Sequence, residues 1–134
     1  MKHFTVSEAS EALVAVRPLA EEMVAHRTEL VKIERRLGEL RRPVAGNGGG
    51  LDAALVERLD RRREVAADKL RGRVEEIHAL GAQVKDLDLG LLDFPARHPD
   101  DGRTVLLCWR LSEDRIEFWH GLDEGFAGRK PLPF

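Results

Sequence analysis

Residues 5–23 read TVSEASEALVAVRPLAEEM, and this stretch predicts the start of a long helix. Thr5 and Glu8 have the spacing of a capping box, in which each side chain accepts a hydrogen bond from the backbone amide of the other residue. Apolar residues then recur at the alternating spacings of three and four that one helical face requires. They are Ala9, Leu13, Val16, Ala20 and Met23. The stripe continues to Leu40, so we predict helix one over residues 5–42.

A proline lies inside this helical pattern at position 18. Proline removes one backbone hydrogen bond from a helix, and its ring clashes with the preceding turn. We therefore expect helix one to be kinked near Pro18.

A turn and a second helix follow the first. Pro43 and the run GNGGG at 46–50 cannot continue a helix, so we predict a glycine-rich turn over residues 43–50. Apolar residues at helical spacing then predict helix two over residues 51–81. The inward positions are Leu55, Leu59, Ala66, Leu70 and Ile77. Two such stripes joined by a short loop bury each other by packing antiparallel.

After residue 83 the apolar residues alternate with a period of two, which indicates β-strands. The residues expected to face inward are Leu87, Leu89, Leu91, Val105, Leu107, Trp109, Ile116 and Phe118. We predict a three-stranded antiparallel β-meander over residues 83–120 and a tail over residues 121–134. The predicted fold is one α+β domain, a long antiparallel α-helical hairpin followed by this meander.

Composition bounds the protein class. The 134 residues suffice for one domain, and the net charge of −2 gives no general affinity for nucleic acid. Cys108 is the only cysteine, which excludes an intrachain disulfide and favours a reducing compartment. No apolar run approaches a membrane span, and the N-terminus lacks a hydrophobic signal segment. We expect a cytoplasmic bacterial protein that does not associate with membranes.

Several short blocks carry a resemblance to a known family. They are FT at 4–5, EA at 8–9, KD at 85–86, GLLDFP at 90–95, LCWR at 107–110, FWH at 118–120 and GFAGR at 125–129. With these blocks, which run from near the start of the chain to near its end, the chain resembles an uncharacterised bacterial family known only as a domain of unknown function, number twenty-two hundred and three. The resemblance implies a shared fold and a bacterial source. It names no activity and no cofactor.

Basic residues concentrate at the predicted tip of the hairpin. Residues 31–73 carry a net charge of +5, and the rest of the chain carries −7. The candidate nucleic-acid contacts are Arg35, Arg36, Arg41, Arg42, Arg58, Arg61, Arg62 and Arg63. Such a finger could lie along phosphates. Many of these charges can instead pair with acids one helical turn away, so we favour a solvated, salt-bridged face and do not expect nucleic acid to be the partner.

The predicted sheet carries the most varied polar side chains. The candidate ligand-binding residues are Asp86, Asp88, Arg110, Glu117, Trp119, His120 and Arg129. Neighbouring carboxylates could hold a divalent cation or act as an acid–base pair. We favour a surface ladder of ion pairs or a subunit interface over such a site, and Trp119 beside the arginines favours the interface. If the protein has a ligand site, we expect it here and not on the helices.

We expect no metal site. Strict alternation places His120 on the same face as Ile116 and Phe118, opposite Cys108, and the chain contains no CxxC or HExxH motif. No motif in the sequence indicates a particular cofactor. No nucleophile elbow and no phosphate-binding glycine loop is present.

Three classes of function follow from these patterns. Two helices and three strands leave one sheet face or helix seam uncovered, so we expect a homo-oligomer that also binds a partner protein, a non-enzymatic interaction module. The first alternative is a small-ligand or metal binder, or an enzyme, that uses the polar residues of the meander. The second is nonspecific nucleic-acid binding by the arginine-rich tip.

Overall fold

The computed structural model describes residues 1–42 and 52–134, and it begins with two antiparallel helices. Helix α1 spans Val6–Arg41 and helix α2 spans Ala53–Ala79. The predicted capping box is present at the start of α1, where the amides and side chains of Thr5 and Glu8 exchange hydrogen bonds of 2.9 and 3.0 Å. The two predicted helices are confirmed, whereas the predicted turn at 43–50 falls outside the described residues.

Helix α1 runs without a break through Pro18 and contains 36 residues, so it is about 54 Å long. The kink expected at this proline stays a prediction. The two helices bury their apolar stripes against each other and against the sheet. The buried residues of the helices are Ala9, Leu13, Val16, Ala20, Met23, Leu30, Ile33, Leu37, Val56, Leu59, Ala66, Leu70 and Ile77.

A five-stranded antiparallel sheet follows the helices. Its strands are β1 Gln83–Asp86, β2 Leu91–Arg97, β3 Thr104–Arg110, β4 Phe118–Gly121 and β5 Lys130–Pro131, and they lie in sequence order. The α+β class with an antiparallel sheet is confirmed, but the prediction of three strands was wrong.

Two local features account for the extra strands. The first predicted strand is divided by a turn, in which the Asp86 carboxylate accepts hydrogen bonds from the amides of Asp88 and Leu89, at 2.8 and 2.9 Å. The turn ends at Gly90, whose φ of +64° is readily adopted only by glycine. The predicted tail returns to the sheet, where Lys130 pairs with Trp119. A pair of residues is too short to show a strand period.

The sheet has an inner face against the helices and an outer face on the other side. The inner face contributes Leu92, Phe94, Ala96, Val105, Leu107, Trp109 and Trp119 to the main core. The outer face carries Leu91, Asp93, Pro95, Leu106, Cys108, Arg110, Phe118 and His120. In β4 the core residue is therefore Trp119, and the prediction that Phe118 faces inward was wrong.

The outer face is buried within one chain. Leu91, Asp93, Leu106, Cys108 and His120 are all buried, and they lie beneath the segment after β4. That segment contains a short 3-10 helix, η1, at Phe126–Gly128. An uncovered sheet face, which was one reason to expect an oligomer, is not present in the described chain.

Candidate functional site

Three chemically reactive side chains meet on the outer face of the sheet. Asp93 of β2 is paired with Cys108 of β3, and His120 of β4 is paired with Leu106, two residues before Cys108. Paired residues and residues two apart on a strand share a face, so the three side chains converge. One ligand atom from each of Asp93, Cys108 and His120 lies within 4.8 Å of the other two. We call these three residues the outer-face cluster.

Hydrogen bonds orient the imidazole of His120. Its Nδ1 lies 2.9 Å from the carbonyl oxygen of Gly121, and its Nε2 lies 3.2 Å from Oδ1 of Asp93. A carbonyl oxygen only accepts, so Nδ1 carries a hydrogen and donates it. Nε2 and a carboxylate oxygen would otherwise face each other with lone pairs. Unless a metal ion lies between them, one of the two atoms must therefore carry a proton. His120 and Asp93 therefore act as one buried polar unit.

Burial controls the protonation of the cluster. Asp93, His120 and Cys108 are 2%, 4% and 0% exposed. Burial raises the pKa of the Asp93 carboxyl, and the nearby His120 opposes that rise. Burial, and next the charge of Asp93, raise the pKa of the Cys108 thiol to about 11. The thiol is therefore neutral at physiological pH and is not poised as a thiolate nucleophile.

Arg129 closes the outer face beside the cluster. Its Nη1 and Nη2 atoms lie 3.1 and 2.9 Å from the two carboxylate oxygens of Glu113. Its guanidinium is 4.0 Å from the ring centroid of Phe118 and 4.2 Å from that of Phe126. Nη1 also lies 4.0 Å from Sγ of Cys108. Burial disfavours the Arg129 charge, but the hydrogen bonds and the charge interactions with Glu113 and Cys108 together outweigh it and raise the pKa of Arg129. These contacts hold η1 against the sheet.

A cavity of about 160 Å³ adjoins the cluster. Asp93 and His120 line it on the sheet side, Lys85 lies at the β1 edge, and Glu124 and Phe126 line it on the side of the covering segment. At roughly 30 Å³ per water molecule, this space accommodates a few waters or a very small ligand. The cavity thus connects two members of the cluster to a space with both cationic and anionic side chains.

A second concave surface lies along the helical hairpin, remote from the cluster in sequence and on other elements. This groove of about 450 Å³ is lined by Arg58, Arg61, Arg62 and Lys69 of α2 with Val65 and Ala66, and by His26 and Glu29 of α1. Four lysine or arginine side chains therefore surround a small apolar strip.

The described residues include no helix that is both apolar enough and long enough to cross a membrane.

Comparison with known proteins shows one family. The family model described as "Uncharacterized conserved protein (DUF2203)" matches residues 2–132. The chain belongs to DUF2203. Searches of the curated proteins and of the solved structures found no match to this chain. Because the description of DUF2203 names no activity, a function for this member must be argued from its surfaces and its chemistry.

The structure separates the ligand-site residues that the sequence of this DUF2203 chain suggested. Asp86 caps the turn between β1 and β2 through its side chain, while Asp88 pairs with Arg27 at 3.1 Å. Glu117 pairs with Arg115 at 2.8 Å, and both side chains are exposed. None of these three acids lines the cavity beside the cluster or belongs to the cluster itself.

The other four suggested residues lie on or near β3–β5. His120 belongs to the cluster, and Arg129 contacts Cys108. Arg110 lies on the outer face with its guanidinium 5.5 Å from the Phe126 ring centroid. Trp119 is buried on the inner face, so it is not available as an exposed interface residue.

Sequence reasoning missed Asp93 and misjudged the position of Cys108 relative to His120. Strict alternation runs through Ile116, but this residue precedes β4, which begins at Phe118. The irregular residues between β3 and β4 therefore put His120 on the face opposite to the predicted one. One signal was available for Asp93: it stands within the apolar block LLDFP, and an acid is rarely fully buried without a partner.

The arginine-rich tip forms ion pairs along and across the helices. Arg41–Asp60, Arg61–Glu57, Arg63–Asp60 and Arg36–Glu39 lie at 2.8, 3.0, 3.2 and 3.5 Å, and Arg62 pairs with Glu29. Within residues 1–42 and 52–134, Arg35, Arg42 and Arg58 take part in no such pair. This pattern is typical of the solvated, salt-bridged face that the sequence favoured.

Proposed function

We propose that this protein is a non-enzymatic, oligomeric interaction module in which the hairpin of one copy docks against the hairpin of a second copy. The observation that supports this proposal is a gradient of charge along one face of the hairpin. The gradient makes that face self-complementary when two copies lie antiparallel.

The tip end of this face is basic. Arg58, Arg62, Val65 and Lys69 recur at spacings of three and four along α2, so they share one helical face, and all four line the groove. The side chain of Val65 is 53% exposed and supplies apolar surface within the ring of cations. An acidic helix carrying one apolar residue complements such a groove.

The base end of the same face is acidic. The stripe continues along α1 from His26 back to Glu22 and Glu11 at helical spacing. Arg73 of α2 bonds Glu22 at 3.2 Å and Glu76 at 2.7 Å, which marks the middle of the face. Beyond it lies a shallow cavity lined by Lys2, Phe4, Glu8, Glu11, Ala12, Ala15 and Leu80.

A twofold axis near the middle of this face would place each basic groove over the acidic base of the other copy. Such an interface uses every contact twice, which is the usual form of a homodimer. Exposed ion pairs contribute only about 0.2–1 kcal/mol each. The dimer should therefore depend on several pairs together and weaken as the salt concentration rises.

Sedimentation velocity with two single charge reversals tests this arrangement. We expect wild type to form a dimer at low salt, and Arg58→Glu and Glu11→Lys each to weaken it. An equimolar mixture of the two variants should recover dimerisation, because both contacts in the mixed dimer pair opposite charges. Arg71→Glu is the matched control, since Arg71 is exposed on α2 and does not line the groove. It should leave the dimer unchanged.

Two results would contradict the proposal. One is a monomer at micromolar concentration in low salt. The other is a mixture of Arg58→Glu and Glu11→Lys that dimerises no better than either variant alone, which would show that the two ends of the face do not meet. In that case an unrelated acidic protein would become the better occupant of the groove.

A further inference from the structure

We propose that Asp93, Cys108 and His120 bind one divalent transition-metal ion of the zinc type, with a water molecule as the fourth ligand. This site lies on the sheet, so a test of it does not depend on whether the hairpin forms a dimer. The proposal specifies the ligand and its residues for the first alternative function, in which the β-strands, and not the helices, carry a ligand site.

The donor atoms suit zinc. Thiolate sulfur, imidazole nitrogen and carboxylate oxygen are the atoms that bind zinc in proteins, usually with tetrahedral geometry. Two ligands at about 2.0–2.1 Å from a tetrahedral zinc ion lie about 3.3 Å apart. Nε2 of His120 and Oδ1 of Asp93 lie 3.2 Å apart already. The sulfur of Cys108 lies within 4.8 Å of both atoms, so the three donor atoms are close enough to converge on one ion.

The imidazole is oriented as a metal ligand is. Histidines that bind metals commonly donate their second ring N–H to a backbone carbonyl or carboxylate, which fixes the ring and its tautomer. Nδ1 of His120 makes this bond to the Gly121 carbonyl at 2.9 Å. Its Nε2 therefore faces Asp93 and the interior of the cluster.

The charges of the site balance. A carboxylate from Asp93 and a thiolate from Cys108 neutralise a divalent cation, so the buried site carries no net charge when it is loaded. Nη1 of Arg129, 4.0 Å from the sulfur, can donate to the thiolate. The charge of Arg129 is itself matched by the bidentate contact with Glu113. The arginine therefore supports the thiolate without adding an unpaired cation.

The fourth position opens toward the cavity of about 160 Å³ that Asp93 and His120 line. Zinc sites with three protein ligands keep a water molecule or a small ligand at the remaining position. Glu124 lines the same cavity and can accept a hydrogen bond from such a water. The geometry thus accounts for three protein ligands and one exchangeable ligand.

Cobalt substitution tests the proposal. Protein stripped with a chelator should bind one equivalent of Co²⁺ and develop the intense visible bands of tetrahedral cobalt together with a sulfur-to-cobalt charge-transfer band. Zn²⁺ should then displace the cobalt and abolish both signals. Cys108→Ser should lose the charge-transfer band, and His120→Gln and Asp93→Asn should each weaken binding at least tenfold. Asp88→Asn, which removes an exposed carboxylate outside the cluster, should bind Co²⁺ like wild type.

X-ray absorption on zinc-loaded wild type keeps the proposal testable if the cluster variants fail to fold. We expect one sulfur ligand at about 2.3 Å and nitrogen or oxygen ligands at about 2.0–2.1 Å. A zinc environment without sulfur would overturn the proposal. So would folded, metal-stripped wild type that gives no tetrahedral cobalt spectrum.

Discussion

Nε2 of His120 lies 3.2 Å from Oδ1 of Asp93, although their strands β4 and β2 are separated by β3. The two side chains meet over the outer face because that face presents Leu106 and Cys108 of β3 between them. Both side chains are buried, so removing either one leaves a buried polar atom of the other without its protein partner. This pair should therefore be the most sensitive polar contact in the sheet.

Removing the Asp93 carboxylate should destabilise the protein strongly. In chelator-treated protein, Asp93→Ala should lower the free energy of unfolding by about 2–4 kcal/mol, because a buried imidazole nitrogen loses its partner. Urea denaturation of Asp93→Ala, His120→Ala and the double variant measures this effect. The double variant should cost less than the sum of the single variants. Asp88→Ala, which breaks only the exposed pair with Arg27, should cost less than about 1 kcal/mol. Additive costs would show that Asp93 and His120 do not depend on each other.

Cys108 should make the stability of metal-free protein fall between about pH 9 and 11. The ordinary pKa of the thiol is 9.0, and burial raises it to about 11 in the folded chain. Above pH 9 the unfolded chain loses this proton while the folded chain keeps it, so rising pH favours unfolding until the folded pKa is passed. A difference of two pKa units corresponds to about 2–3 kcal/mol.

Comparing the denaturation of wild type with that of Cys108→Ala across this pH range isolates the contribution of the thiol. The difference between their free energies of unfolding should shrink, then change in favour of the variant, as the pH rises from 9 to 11. Iodoacetamide should also modify Cys108 much more slowly in folded protein than in urea. A pH-independent difference would mean that the folded chain holds the thiol near its ordinary pKa.

Arg129 should stabilise the packing of the segment after β4, which contains η1, against the outer face of the sheet. Arg129→Ala removes two contacts with Glu113 and the stacking between Phe118 and Phe126, so it should cost about 2–3 kcal/mol. Arg129→Lys should recover only part of this loss, because an ammonium group cannot form the bidentate contact. Hydrogen exchange should increase along β4 and β5 in Arg129→Ala. Unchanged exchange at Trp119 and Lys130, which pair between these strands, would contradict this role.

Nucleic-acid binding through the arginine-rich tip should be weak and nonspecific. Most tip arginines are engaged in ion pairs, and only phosphate contacts are available to the rest. Any affinity measured by fluorescence anisotropy with a labelled RNA or DNA should fall steeply as salt rises. Arg58→Glu should reduce it for all sequences alike. A sequence-selective complex that resists salt would contradict this prediction.

The helical part of this protein was readable from the sequence. A capping box at Thr5 and Glu8, and apolar residues spaced for one helical face, involve only neighbours within a few turns of the chain. The five positions predicted to face inward at the start of helix one, from Ala9 to Met23, are all buried. In helix two the pattern placed Leu55 inward, whereas Val56 is the more deeply buried of the two. An error of one position is common at the first turn, where the packing partner decides the facing residue.

The outer-face cluster, in contrast, was decided by tertiary structure alone. Asp93, Cys108 and His120 come from three strands, and they converge only because of the register between β2, β3 and β4. A shift of one residue moves a side chain to the opposite face of a sheet. Alternation counted from one strand therefore cannot predict the faces of the next strand when an irregular segment separates them. Residues 111–117 are such a segment, and no local pattern states how many positions it takes before β4 begins. The sequence by itself therefore determined the helical hairpin and membership in the family, because those depend on local spacing and on blocks of residues. Only the folded sheet, with its covering segment held by Arg129, determined which polar side chains meet and are buried together.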